Sequence, residues 1–82
     1  MVSCQFSVYP LGVEDLSPAI DAALAEMRSQ GLEFEVGAMS TLVTGESPQV
    51  FEGLKRAFDA AASRGFVVMT ITLSNACPVP GT

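Results

Sequence analysis

The chain carries the same pattern twice. A strand-like run, a helix opened by Ser-Pro and closed by glycine, and a second strand-like run extend from Val2 to Val36 and again from Met39 to Ser74. Ser17-Pro18 and Ser47-Pro48 are the two openings; Gly31 and Gly65 are the two stops. Serine suits an N-cap because its hydroxyl accepts a bond from a first-turn amide that has no helical partner, and proline suits the next position because it has no amide to leave unpaired. Glycine past the last turn takes the left-handed cap conformation at no steric cost. A β-α-β unit written twice gives βαββαβ, the order of a ferredoxin-like α+β fold: a four-stranded antiparallel sheet with two helices on one face.

The periodicities assign the faces. From Val2 to Tyr9 the sequence alternates, with Val2, Cys4, Phe6 and Val8 toward the helices and Ser3, Gln5, Ser7 and Tyr9 away from them. Ile20, Ala23, Leu24 and Met27 share one face of the first helix. Leu32, Phe34 and Val36 alternate with Glu33 and Glu35 in a short strand whose charges mark it as a sheet edge. Gly37-Ala38 turns the chain into a third strand over 39–44. The second helix buries Val50 or Phe51, Leu54, Phe58, and Ala61 or Ala62. In the last strand Val67, Met69, Ile71 and Leu73 face the helices. Residues 1–82 form one domain, with 78–82 expected as a loop or frayed tail because Pro78 and Pro80 cannot continue a sheet.

At 82 residues a single core is marginal, burying roughly 60–65% of the unfolded chain's surface. Association with other copies is the expected extra source of stability. The sheet face opposite the helices bears Gln5, Ser7, Tyr9, Thr70 and Thr72 with apolar groups between them. It is too apolar for a fully solvated surface and too hydroxylated for a dry core. A dimer or tetramer packed through this open face is the expectation, with a simply solvated face as the alternative.

Nine acidic against four basic residues give a net charge of -5, which disfavours nucleic acid and anionic membranes as partners. Met1 to Pro10 has neither the basic residues nor the apolar run of a leader or a membrane span, so a cytoplasmic location is expected. Cys4 and Cys77 are read as free thiols, Cys4 pointing into the core. Two cysteines and no histidine argue against a four-thiolate iron-sulfur cluster or a structural zinc site. Without histidine, and with no base beside any nucleophile in sequence, an enzyme would be short of parts, and no cofactor is expected. Glu33 and Glu35 read as edge charges rather than a paired-carboxylate site. Gly45-Glu46-Ser47-Pro48 reads as a turn and cap before it reads as an anion site.

The blocks Phe6-Ser7-Val8-Tyr9-Pro10, Ser40-Thr41-Leu42-Val43-Thr44-Gly45, Val50-Phe51, and Val68-Met69 through Cys77-Pro78 occur in an order and spacing that resemble the YkoF-like family of thiamine- and hydroxymethylpyrimidine-binding proteins. The resemblance runs nearly end to end and implies the fold reached above from periodicity. It also implies non-catalytic binding of the pyrimidine part of thiamine for uptake or salvage, with a functional link to a thiamine-precursor transporter. Some members carry two such domains in one chain, so here a homo-oligomer would supply the second copy. A related group of single-domain thiamine-binding proteins has an acidic residue where this chain has Thr44 and a charged group where it has Asn75-Ala76, a departure that bears on ligand specificity.

An aminopyrimidine needs donors for its ring nitrogens, an acceptor for its amino group and an apolar wall. Ser7, Ser40, Thr41 and Asn75 are the candidate polar edge. Tyr9 and Met39 are the candidate wall, with Phe51 either wall or core. Ser7 and Thr41 lie in the blocks that carry the resemblance. Two other classes remain beside this reading: a small dimeric ferredoxin-like enzyme of the monooxygenase type, and an oligomerisation or regulatory module without a ligand.

Overall fold

The computed structural model describes residues 1–76. The element order is β1 (Val2–Pro10), α1 (Ser17–Ser29), β2 (Glu33–Val36), β3 (Thr41–Gly45), α2 (Ser47–Ala62) and β4 (Val67–Ser74). The sheet order is β2-β3-β1-β4 with every neighbouring pair antiparallel, and the fold is ferredoxin-like α+β. Cys77 and the 78–82 tail lie outside the described residues.

One face of the sheet meets both helices. Cys4 and Phe6 of β1 and Val43 of β3 pack against Ala19, Ala23 and Met27 of α1 and against Val50, Leu54, Ala57 and Ala61 of α2. The alternation in β1 is therefore realised: Cys4 and Phe6 are buried, whereas Gln5 and Tyr9 are exposed. Burying a side chain the size of Met27 contributes roughly 1.5–3 kcal/mol, and Met27 is wholly enclosed. The helices pack closely because α2 presents Gly53 to α1: a Cβ there would lie 2.8 Å from Leu32 Cδ1 and 2.9 Å from Met27 Sδ.

α1 stops at the expected glycine, whereas α2 ends at Ala62 with Ser63 as its cap, and Gly65 follows two residues later with φ 141°. Gly31 has φ 71°, and its N–H donates to the Arg28 carbonyl at 3.0 Å, which is the left-handed cap geometry. The helix starts differ from expectation. Ser17 and Ser47 are the first helical residues, the caps are Leu16 and Glu46, and neither cap makes a side-chain bond. At α1 the Asp15 carboxylate accepts the Ser17 N–H instead, at 3.1 Å. The prolines still fall in the first turn of each helix.

Three further differences matter for the site. The third strand begins at Thr41 rather than Met39, because Gly37 N–H donates to the Ser40 carbonyl at 2.8 Å and closes residues 37–40 into a loop. Phe51 and Phe58 are 55% and 40% exposed, and the buried stripe of α2 runs instead through Val50, Gly53, Leu54, Ala57 and Ala61. Ile71 and Leu73 do share the helix-facing side with their partners Phe6 and Cys4, yet remain 47% and 37% exposed. They lie on an edge strand that extends past the cover of α2.

Candidate functional site

The pairing of β1 creates an opening in the sheet. β4 pairs with β1 from Ser3 to Pro10, whereas β3 pairs with it only from Val2 to Phe6. Among the described residues the β3 side of β1 has no ladder partner from Ser7 onward, and the loop 37–40 arches over that gap. Ser7 Oγ donates to the Met39 carbonyl at 3.0 Å, and Gln5 Nε2 donates to Ser40 Oγ at 2.9 Å. These side-chain bonds hold the loop where backbone bonds would otherwise have continued the sheet.

Behind the loop is a hollow of about 370 Å³, within the roughly 300–1,000 Å³ of small-molecule sites. β1 contributes Phe6 to Tyr9 and the β2–β3 segment contributes Val36 to Thr41; the remaining wall is apolar and comes from α1, chiefly Leu16, Ile20 and Leu24. Of the sequence-nominated residues, Ser7, Tyr9, Met39, Ser40 and Thr41 all line this one hollow. Met39 sits near the loop tip, 86% exposed, and Tyr9 is half-exposed at the rim. Thr41 is buried and, paired with Phe6 and Val36, belongs to the helix-facing side.

Asn75 is not brought to this place. Ser74 pairs with Ser3 while Thr70 pairs with Ser7, so Asn75 follows the far end of β4, about four strand residues or roughly 14 Å from the hollow. Phe51 lies beside Leu54, Phe58, Met69 and Ile71 at the outer edge of the sheet. Glu33 and Glu35 are exposed and flank a shallow depression of about 170 Å³ with Leu42 and Thr44.

The hydrogen bonds give the two serines opposite characters. Ser7 commits its proton to Met39, which leaves its lone pairs free to accept. Ser40 receives a bond from Gln5, which leaves its own O–H to donate. Both serines are among the residues that line the hollow. Sequence reading placed Gln5 in the polar set of β1 without giving it a role; its signal was the shared alternation with Ser7. The α1 wall was read only as core.

Cys4 is buried and free, and burial pushes its thiol up from the ordinary value. Among the described residues there is no cluster of metal-ligating side chains, and no helix is long and apolar enough to cross a membrane.

A model of the YkoF-related family matches residues 1–80. The chain belongs to that family. Among solved structures, a domain of unknown function from Bacillus cereus is 30% identical with a TM-score of 0.78, over 89% of this chain and 73% of that one. A Thermotoga maritima protein described as a candidate for thiamine biosynthesis or salvage is 28% identical with a TM-score of 0.76, over 88% of this chain and 80% of that one. A hypothetical protein from Methanocaldococcus jannascii, 22% identical, shares the fold with a TM-score of 0.86 over 99% of this chain and 86% of that one. No curated protein matches. In this YkoF-related chain, the blocks 6–10 and 40–45 noted in the sequence contribute Phe6 to Tyr9 and Ser40 to Thr41 to the lining of the hollow.

Proposed function

We propose that this chain binds thiamine or its hydroxymethylpyrimidine moiety in the hollow between α1, β1 and the loop 37–40, and holds it without transforming it. The observation that carries the reading is that Ser7, left free to accept, and Ser40, left free to donate, are both among the residues lining one hollow with an apolar wall. A 4-aminopyrimidine edge presents the complement, an amino N–H beside a ring-nitrogen acceptor. Thr41 adds a third hydroxyl from the cavity floor. Met39 and the α1 side chains supply the flat apolar wall, and the Tyr9 ring at the rim suits the cationic thiazolium of the intact vitamin. Membership of the YkoF-related family and the described role of the Thermotoga relative support the same ligand class.

A carrier rather than a catalyst is favoured by the lining itself. Tyr9 is the one titratable group among the described residues around the hollow, and neither serine has a base beside it that could take its proton. The role that follows is cytoplasmic delivery or salvage of the vitamin, in step with a transporter of thiamine or its precursor. Assembly through the open sheet face, where Gln5, Ser7 and Tyr9 stand, would place a second copy against the rim.

Calorimetric titration with thiamine, hydroxymethylpyrimidine and a thiazole fragment tests this. Saturable binding of the first two and none of the third is expected. Failure of all three to bind the folded protein sinks the proposal.

A further inference from the structure

The four methionines are placed very differently. Met27 is wholly enclosed, Met69 is half-buried against the core, and Met1, although exposed, is not among the residues that line the hollow. Met39 is 86% exposed and does line it. Its backbone is held while its side chain is open to solvent: the Met39 carbonyl accepts the Ser7 hydroxyl at 3.0 Å, and the Gly37 N–H closes the loop onto the Ser40 carbonyl at 2.8 Å. The loop therefore keeps an accessible thioether at the hollow. Cys4, by contrast, is buried, and burial raises its pKa and keeps it as the less reactive thiol.

We infer that Met39 is a redox-sensitive modification site, at which oxidation of the thioether by hydrogen peroxide lowers the affinity of the hollow for its ligand. The inference rests on the reading of the hollow as the ligand site. In the step, a sulfur lone pair attacks one peroxide oxygen, the O–O bond breaks, a sulfur–oxygen bond forms, and the other oxygen leaves as water. Sulfur gives up two electrons and the peroxide takes them. A dithiol reductant reverses the change, the sulfoxide oxygen leaving as water while the two thiols become a disulfide. A thioether is apolar and polarisable and packs well against an aromatic ring, whereas the sulfoxide is polar and chiral. On the wall of the hollow, the exchange replaces a contact for the ligand's ring with a group that favours water. The α1 side of the wall, Leu16, Ile20 and Leu24, is hydrocarbon that peroxide leaves unchanged, so the response is confined to the loop. A ligand seated against Met39 covers its sulfur in return and slows the oxidation.

Graded exposure of the full chain to hydrogen peroxide, followed by peptide mass mapping and by calorimetric titration with hydroxymethylpyrimidine and thiamine, tests this. Met39 is expected to oxidise ahead of Met69 and Met27, and more slowly with ligand present. Affinity is expected to fall about 2- to 10-fold, the range of a lost thioether–aromatic contact, and to return after treatment with methionine sulfoxide reductases. Met39→Leu keeps every other oxidisable group, Cys77 included, and cannot form the sulfoxide. Whatever affinity it starts with, peroxide is expected to leave that affinity unchanged. The inference is overturned if Met39 oxidises no faster than Met69, if affinity is the same at full Met39 oxidation, or if peroxide weakens Met39→Leu as much as the wild type. Titration before treatment separates the two readings. Untreated protein that binds neither ligand overturns the ligand reading and this inference with it; binding that oxidation does not alter overturns this inference alone.

Discussion

Gln5 and Ser40 stand 35 residues apart in sequence, yet Gln5 Nε2 lies 2.9 Å from Ser40 Oγ. The bond joins the open face of β1 to the loop that enters β3, and it dictates the direction of the Ser40 proton. Because the amide donates, the hydroxyl is left to donate in turn. Gln5 is thus a positioning residue for the hollow although it does not line it.

If that is so, Ser40→Ala should weaken hydroxymethylpyrimidine binding by roughly 1–3 kcal/mol, about 5- to 150-fold, the usual cost of removing one partner from a buried hydrogen bond. Gln5→Leu should weaken it less, because the hydroxyl survives but is free to turn. Calorimetry on both variants checks the order; a Gln5 variant worse than the Ser40 variant contradicts the assigned roles.

Asn75→Ala should leave ligand affinity unchanged within error, since Asn75 follows the far end of β4 from Ser7. A loss of tenfold or more in the same titration would mean that a second copy carries Asn75 to the hollow.

Packing of α1 on α2 can be probed at Gly53. Alanine there gains roughly 0.5–1 kcal/mol of helix propensity, but its Cβ falls under 3.0 Å from both Leu32 and Met27. Both neighbours are buried and have little room to yield, so overpacking at roughly 1–3 kcal/mol wins. Urea unfolding should show net destabilisation of about 1 kcal/mol. Gly31→Ala should cost about 1–2 kcal/mol for a different reason, the φ of 71°.

The ion pairs on α2 should matter little. Lys55–Asp59 and Arg56–Glu52, each at 3.0 Å, are solvent-exposed i,i+4 contacts, and such pairs contribute about 0.3–0.5 kcal/mol. Lys55→Ala should shift the urea midpoint by no more than that energy implies, and less still in 0.5 M salt.

Cys4 gives a pH dependence. Burial raises its thiol above the ordinary 9.0, so the unfolded chain releases this proton at lower pH than the folded one. Below 9 both states keep it and stability is unaffected. As pH rises from 9 toward the folded value, the unfolded state ionises first and stability falls. The wild type should therefore lose stability above pH 9 more steeply than Cys4→Ala in parallel urea titrations.

The order βαββαβ was legible because each element carries its own local signal. Period-two alternation marks β1, Gly31 stops α1, and Glu33 and Glu35 mark an edge strand; these depend on a residue and its near neighbours. Two parts of the site were legible for the same reason, since Ser7 and Tyr9 share one face of β1 by alternation alone. Where Asn75 goes was not legible, because that depends on the direction in which β4 runs beside β1. The entry to β3 slipped by two residues because the Gly37–Ser40 backbone bond closes the loop before Thr41, and Gln5, 35 residues away, holds Ser40 in that loop.

By itself, then, the amino-acid sequence determined the elements, their order and the faces of the strands, all of which follow from local sterics and periodicity. Tertiary structure alone decided which hydroxyl donates and which accepts, because that depends on Gln5 and Met39 meeting residues more than thirty positions away. It alone left Phe58, Ile71 and Leu73 uncovered as well. Their apolar spacing is that of core residues, but two short helices cannot span a four-stranded sheet to the outer edge of β4, and no pattern within a helix or strand records the width of the layer packed against it.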